Sequence, residues 1–224
     1  MVDGFWSTEL IAMIQYDRIS GVFVLRDGVR SQVGCEICTT LNESLTEVLR
    51  WLDLKRRNGR YAHGFLIELA VASISRVVPV NCIYDEIGKL EGTDATPSMT
   101  KKPGKMHDPL GGLLHKHYFQ PSFIPQNLIN EMEKMDKDGR WEAIFAPHYG
   151  KLVPEFIGQV LHQIVVGGYE QRACDRRITG EFIVYERQAD GSNYYLTLGK
   201  HGEWDAIRAR VDEYKKFDAG DCSP

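Results

Sequence analysis

The chain lacks several features whose absence narrows what it can do. It has no run of about 18 uncharged apolar residues, so nothing in it reads as a membrane-spanning helix. Its opening residues, MVDGFWSTELIAMIQ, have neither the basic start nor the apolar stretch of a secretory leader. It also lacks a cationic excess: 27 Lys and Arg stand against 31 Asp and Glu, for a formal charge of −4. Non-specific nucleic-acid affinity comes from phosphate neutralisation, so an anionic partner must be met locally rather than by the whole surface. Cysteine is sparse and odd in number, at 35, 38, 82, 174 and 222, unlike the dense, even pattern of a disulfide-stapled secreted domain. Reduced thiols and a cytoplasmic location are expected. Cys35 and Cys38 have the spacing of half a zinc site, but no second such pair follows at zinc-ribbon distance, and alternating Val33, Cys35 and Ile37 read instead as a packed strand. Also missing are a Gly-x-x-x-x-Gly-Lys-Ser/Thr loop, a Gly-x-Gly-x-x-Gly after a strand and a Gly-x-Ser-x-Gly elbow. The usual evidence for nucleotide-driven, dinucleotide-dependent and common serine-hydrolase chemistry is therefore absent.

What is present fits an α+β chain. Its 224 residues, 43% hydrophobic and 26% charged, can build one sizeable core. The segment Gly21 to Gly28 reads as a strand ending in a turn, and Arg30 to Thr40 alternates well enough to pair with it as an N-terminal hairpin. After Asn42, the spacing of Leu45, Val48, Leu49 and Leu52 predicts a helix that ends at Lys55-Arg56-Arg57. Phe65 to Val80 reads as a buried helix stopping before Pro79, with a short strand from Val80 to Ile83. Pro125 and Pro154 open two further helices, the second ending at Gly167-Gly168. Ile178 to Arg187 and Tyr194 to Leu198 form a C-terminal hairpin about the turn at 189–192, and Trp204, Ile207, Val211 and Tyr214 mark a closing helix. Small antiparallel sheets packed with amphipathic helices are expected in a single domain over 1–224. It divides into an N-terminal lobe 1–90 and a C-terminal lobe 110–218, joined by a long loop over 88–109.

That loop runs into the most unusual stretch, MTKKPGKMHDPLGGLLHKHYFQPSFIP from Met99 to Pro125. Lys101, Lys102, Lys105 and Lys116 face one acid, Asp108, so it carries about +3 inside an acidic chain. His115 and His117 are two residues apart, which places both on one face of a strand, with Lys116 on the other. On a strand the two imidazoles can act on a phosphodiester, one taking a proton from a ribose 2′-hydroxyl while the other protonates the leaving oxygen, since histidine titrates near neutrality. Lys101, Lys102, Lys105 and Lys116 are then candidate phosphate-binding residues, with Arg176 and Arg177 as clamps for the transition state. The same His-x-His pair can instead hold a metal, which requires a third ligand from Asp108, His107, His148 or His201. Satisfied, non-catalytic histidines remain the simplest reading of such a pair.

The order of a histidine-bearing segment, helices, then TGEFIVYE from Thr179, a turn and YYLTL from Tyr194 resembles the C-terminal sheet of compact bacterial ribonuclease toxins of the barnase, EndoU, colicin and RelE class, over about a third of the chain. The resemblance implies a metal-independent ribonuclease with His115, His117 and Arg177 as catalytic residues, no cofactor, and RNA or another anionic ligand as partner. The second class of function is a non-catalytic interaction or immunity-type protein that uses the same loop to dock a protein partner. A metal-binding hydrolase built on His115 and His117 is the third.

Overall fold

A computed structural model of the chain describes residues 14–17, 22–25, 32–76, 78–146 and 154–219. It is an α+β structure. Strands β1 (Ile14–Asp17) and β2 (Val22–Leu25) form a separate antiparallel ribbon. The segment expected to be the second hairpin strand, Arg30 to Thr40, is instead the start of helix α1 (Gln32–Lys55). Cys38, Leu41, Leu45, Val48 and Leu52 are all buried at steps of three or four residues, so the helical period of the whole segment outweighs the short alternation at its start. Strand β3 (Arg60–Tyr61) leads into α2 (His63–Ser75), the buried helix expected there. The strand expected over Val80 to Ile83 is the first turn of α3 (Val80–Glu91), whose Ile83 and Ile87 are fully buried one helical turn apart.

Gly92 ends α3 in the left-handed conformation at φ 71°, and the chain then runs without regular structure to Pro103. The loop expected over 88–109 is therefore irregular and largely exposed only in its middle part, since Gly88 to Glu91 are the last turn of α3 and Gly104 and Lys105 belong to a strand. It is pinned in the middle, where buried Thr100 forms a parallel bridge with Ile178. Strands β4 (Gly104–Lys105) and β5 (Leu114–His117) follow, then α4 (Ile124–Lys137) and α5 (Arg140–Phe145). Helix α6 (Pro154–His162) does not stop at the glycine pair. It passes through a π-helical turn over Gln163–Gly167 into α7 (Gly168–Cys174). Neither glycine adopts a helix-ending conformation: Gly167 and Gly168 have φ of −61° and −63° and continue the helical path.

Strands β6 (Phe182–Arg187) and β7 (Asn193–Gly199) are the expected C-terminal hairpin, and α8 (Trp204–Ala219) is the expected closing helix. The main sheet has the order β3-β7-β6-β5-β4, antiparallel except for the β3–β7 pair. In β5, Leu114 and Lys116 pair with Tyr185 and Ile183, while His115 and His117 pair with Val184 and Phe182. Pleating therefore sends the histidines to one face and Lys116 to the other. A single apolar core runs from Cys38 in α1 through the sheet to Val211 in α8. Among the described residues no helix is long and apolar enough to cross a membrane, and Cys82 and Cys174 are free thiols.

Candidate active site

The two histidines of β5 sit at the end of the sheet where β7 turns into α8, and that turn brings His201 to them. The His115 and His117 ring centroids are 5.3 Å apart and nearly perpendicular, while the His117 and His201 rings stack at 5.5 Å. Phe182, from the paired position on β6, lies against all three. The Gly180 carbonyl organises the group. It accepts a ring N–H from His117 through Nδ1 at 2.7 Å and one from His201 through Nε2 at 3.1 Å. Only glycine fits at position 180, because a Cβ would lie 2.3 Å from the backbone oxygen of Tyr118.

The three imidazoles differ in what they can do. His117 is 2% exposed, and burial pulls its pKa down to about 4 against the support of the Gly180 carbonyl, with His115, Lys101 and His201 adding repulsion. It is a neutral, positioned ring at pH 7. His115 is half-buried, and its pKa is also lowered, first by burial and then by the charges of His201 and Lys101. Its Nδ1 is buried with no hydrogen-bond partner among the described residues. His201 is exposed. His115 and His201 line a cavity of about 310 Å³ together with Lys105, Met106, His107, Asp108, Phe182 and Trp204, and His117 does not.

The remaining residues singled out in the sequence divide in the same way. Lys105 is at the cavity, and exposed Lys101 is outside its lining but acts electrostatically on both β5 histidines. Lys102 is exposed in the segment before β4. Lys116 is buried on the opposite face and paired with Glu86 at 3.1 Å, so it is not available to a ligand in the cavity. Arg177 is bound to Asp175 at 2.8 Å and Glu131 at 3.0 Å, in a cluster that also takes Arg140 and Arg172. That cluster ties α4, α5 and α7 together and commits the guanidinium elsewhere. Among the described residues no three His, Cys, Asp or Glu side chains are placed to share a metal ion, so the third ligand needed by a His-x-His metal site is not supplied there. His148 lies outside the described residues.

Sequence reasoning missed Phe182 and Trp204 as site residues and considered His201 only as a metal ligand. The available signal was positional: Gly199-Lys200-His201-Gly202 is a polar turn between a strand and a helix, where functional side chains concentrate. A larger groove of about 730 Å³ lies between α2, β7 and α8, but its half-buried carboxylate Glu68 is already occupied. Glu68 accepts from the Leu198 N–H at 2.7 Å, the Thr197 hydroxyl and the Tyr214 hydroxyl, closing the free edge of β7 where β3 ends. No protein-family model, curated protein or solved structure matches this chain.

The burial of His117 has a consequence for stability. The unfolded chain titrates this group at 6.5 and the folded chain at about 4, so between those values the unfolded state binds more protons and stability falls as the pH is lowered. Below pH 4 the loss reaches about 3 kcal/mol. Urea unfolding at pH 7 and pH 4 should show a smaller difference for His117→Gln than for the wild type. An equal difference in the two proteins would remove His117 as the source.

Proposed function

We propose that the chain is a phosphodiester-directed enzyme with RNA as its substrate class, acting by acid and base catalysis from the cavity of His115 and His201. The observation that supports this reading is that these two imidazoles and Lys105 line one cavity. His115, held neutral by its lowered pKa, takes the proton from a ribose 2′-hydroxyl. The freed oxygen attacks the adjacent phosphorus, and the 5′-oxygen leaves with a proton delivered by His201, giving a 2′,3′-cyclic phosphate and a 5′-hydroxyl. Lys105 at the cavity, with Lys101 outside its lining, offsets charge on the phosphate as the bond order changes. His117 acts through position rather than contact, sharing the Gly180 carbonyl with His201 and stacking on its ring.

The test is RNA degradation by the purified protein with and without chelator, comparing wild type, His115→Ala and His201→Ala. Loss of cleavage in both variants with indifference to chelator is expected. Cleavage unchanged in both variants, or abolished by chelator, would overturn the reading. A second reading, a non-catalytic binding protein, is favoured by one observation: Ile129, Met132, Ile157, Leu161, Val165 and Val166 leave large apolar side chains exposed on α4, α6 and the π-helical turn. Absence of cleavage on every RNA tested would move the function to that surface.

A further inference from the structure

Trp204 opens α8 and is an exposed large apolar side chain of that helix. It is 40% exposed, whereas Ile207 and Val211 farther along are buried completely or nearly so. Its ring is nonetheless held in place. The indole stacks on Phe182 at 5.9 Å with 16° between the planes, and His201 stands edge-on to it at 6.2 Å. Phe182 is in turn buried in the sheet and in contact with the rings of His115 and His117. An aromatic plate fixed from one side and open to the cavity that holds both proposed catalytic histidines has the form of a stacking surface.

We propose that Trp204 is the platform for a nucleobase and that the substrate is therefore single-stranded RNA. The proposal rests on the phosphodiester reading above for the chemistry and on the aromatic geometry for recognition. Every base presents a π-face, but within a duplex both faces are covered by neighbouring pairs, so a single plate recognises an unpaired base. The charges in the cavity agree with this division. Lys105 suits a phosphate, while Asp108, the one carboxylate in the lining, repels phosphate and suits the amino edge of a base.

The experiment uses fluorescence anisotropy of a labelled 2′-O-methyl oligoribonucleotide of about ten nucleotides, which binds but cannot be cleaved because its attacking hydroxyl is blocked. Trp204→Ala is expected to weaken binding by about tenfold or more, and Trp204→Phe, which keeps a plate, by no more than about threefold. An unlabelled single strand should compete far better than the duplex of the same sequence. Equal affinity of wild type and Trp204→Ala, or a duplex that competes as well as the single strand, would overturn the proposal. Cleavage of unmodified RNA is measured separately. Trp204-dependent binding without cleavage retains the platform and removes the enzyme. Cleavage with binding and KM untouched by Trp204→Ala retains the enzyme and removes the platform.

Discussion

Alanine at His115 is expected to lower the turnover of an RNA substrate by about 10²- to 10⁴-fold, the usual contribution of a positioned general acid or base. His201→Ala should fall in the same range, because the two groups act on opposite ends of one displacement. The double variant should be little worse than either single one, since residues acting as a unit are far from additive. The fold should survive the first change. His115 is only half-buried, its Nδ1 makes no hydrogen bond among the described residues, and its removal gives up one hydrogen bond, to the Gly104 backbone on the edge strand β4. His117→Ala gives a contrasting result. Its ring holds the Gly180 carbonyl at 2.7 Å from a buried position, so its loss should lower the melting temperature together with the rate. Turnover, KM and thermal melting of the three single variants check these expectations. A His115→Ala protein that melts normally and cleaves as the wild type would remove the site.

The second large effect is on stability and concerns the lysine between the two histidines. Lys116→Ala should destabilise the protein by up to about 3–5 kcal/mol, the cost of breaking a buried ion pair, with Lys89, 3.3 Å from Glu86, left to offset part of the remaining charge. The Lys116 Nζ lies 2.7 Å from the Lys101 carbonyl, 2.9 Å from the Ser98 hydroxyl and 3.1 Å from Glu86, and it also bonds the Thr100 hydroxyl. Glu86 is itself nearly inaccessible. Burial pulls the lysine pKa down and Glu86 opposes that pull. Combining Lys116→Met with Glu86→Gln removes both charges and should recover much of the loss, since an apolar or neutral pair carries no ionic desolvation cost. Denaturant unfolding of the single and double variants measures this. A Lys116→Ala protein as stable as the wild type, with weakened affinity for the oligonucleotide, would return Lys116 to the phosphate-binding residues.

The elements that could be read from the chain are those whose signal is local. The hairpin of β6 and β7 declares itself by strand-forming residues on either side of Ala189-Asp190-Gly191-Ser192, and α8 by Ile207 and Val211 at helical spacing. The opposite case is α1, where Val33 and Ile37 permit a strand and only the buried face running on to Leu52 selects the helix. The glycine pair before α7 misleads for a related reason. Both glycines take right-handed helical dihedrals, and the π-helical turn carries the chain through them into α7.

Local spacing alone determined that His115 and His117 share a face if their segment is extended, and that Lys116 then points away, because strand pleating needs no partner to set that alternation. Only the tertiary structure decided the rest of the site. Pairing of β5 with β6 and of β6 with β7 puts Phe182 against the histidines and carries the turn after β7 to the same end of the sheet. His201 and Trp204 arrive there from a remote part of the chain, and Arg177, close to β6 in sequence, is drawn to Glu131 on α4 instead. The division between contact and support within the His-x-His pair is likewise tertiary, since it depends on the Gly180 carbonyl and on what covers each ring, and burial belongs to the assembled layers rather than to any one strand.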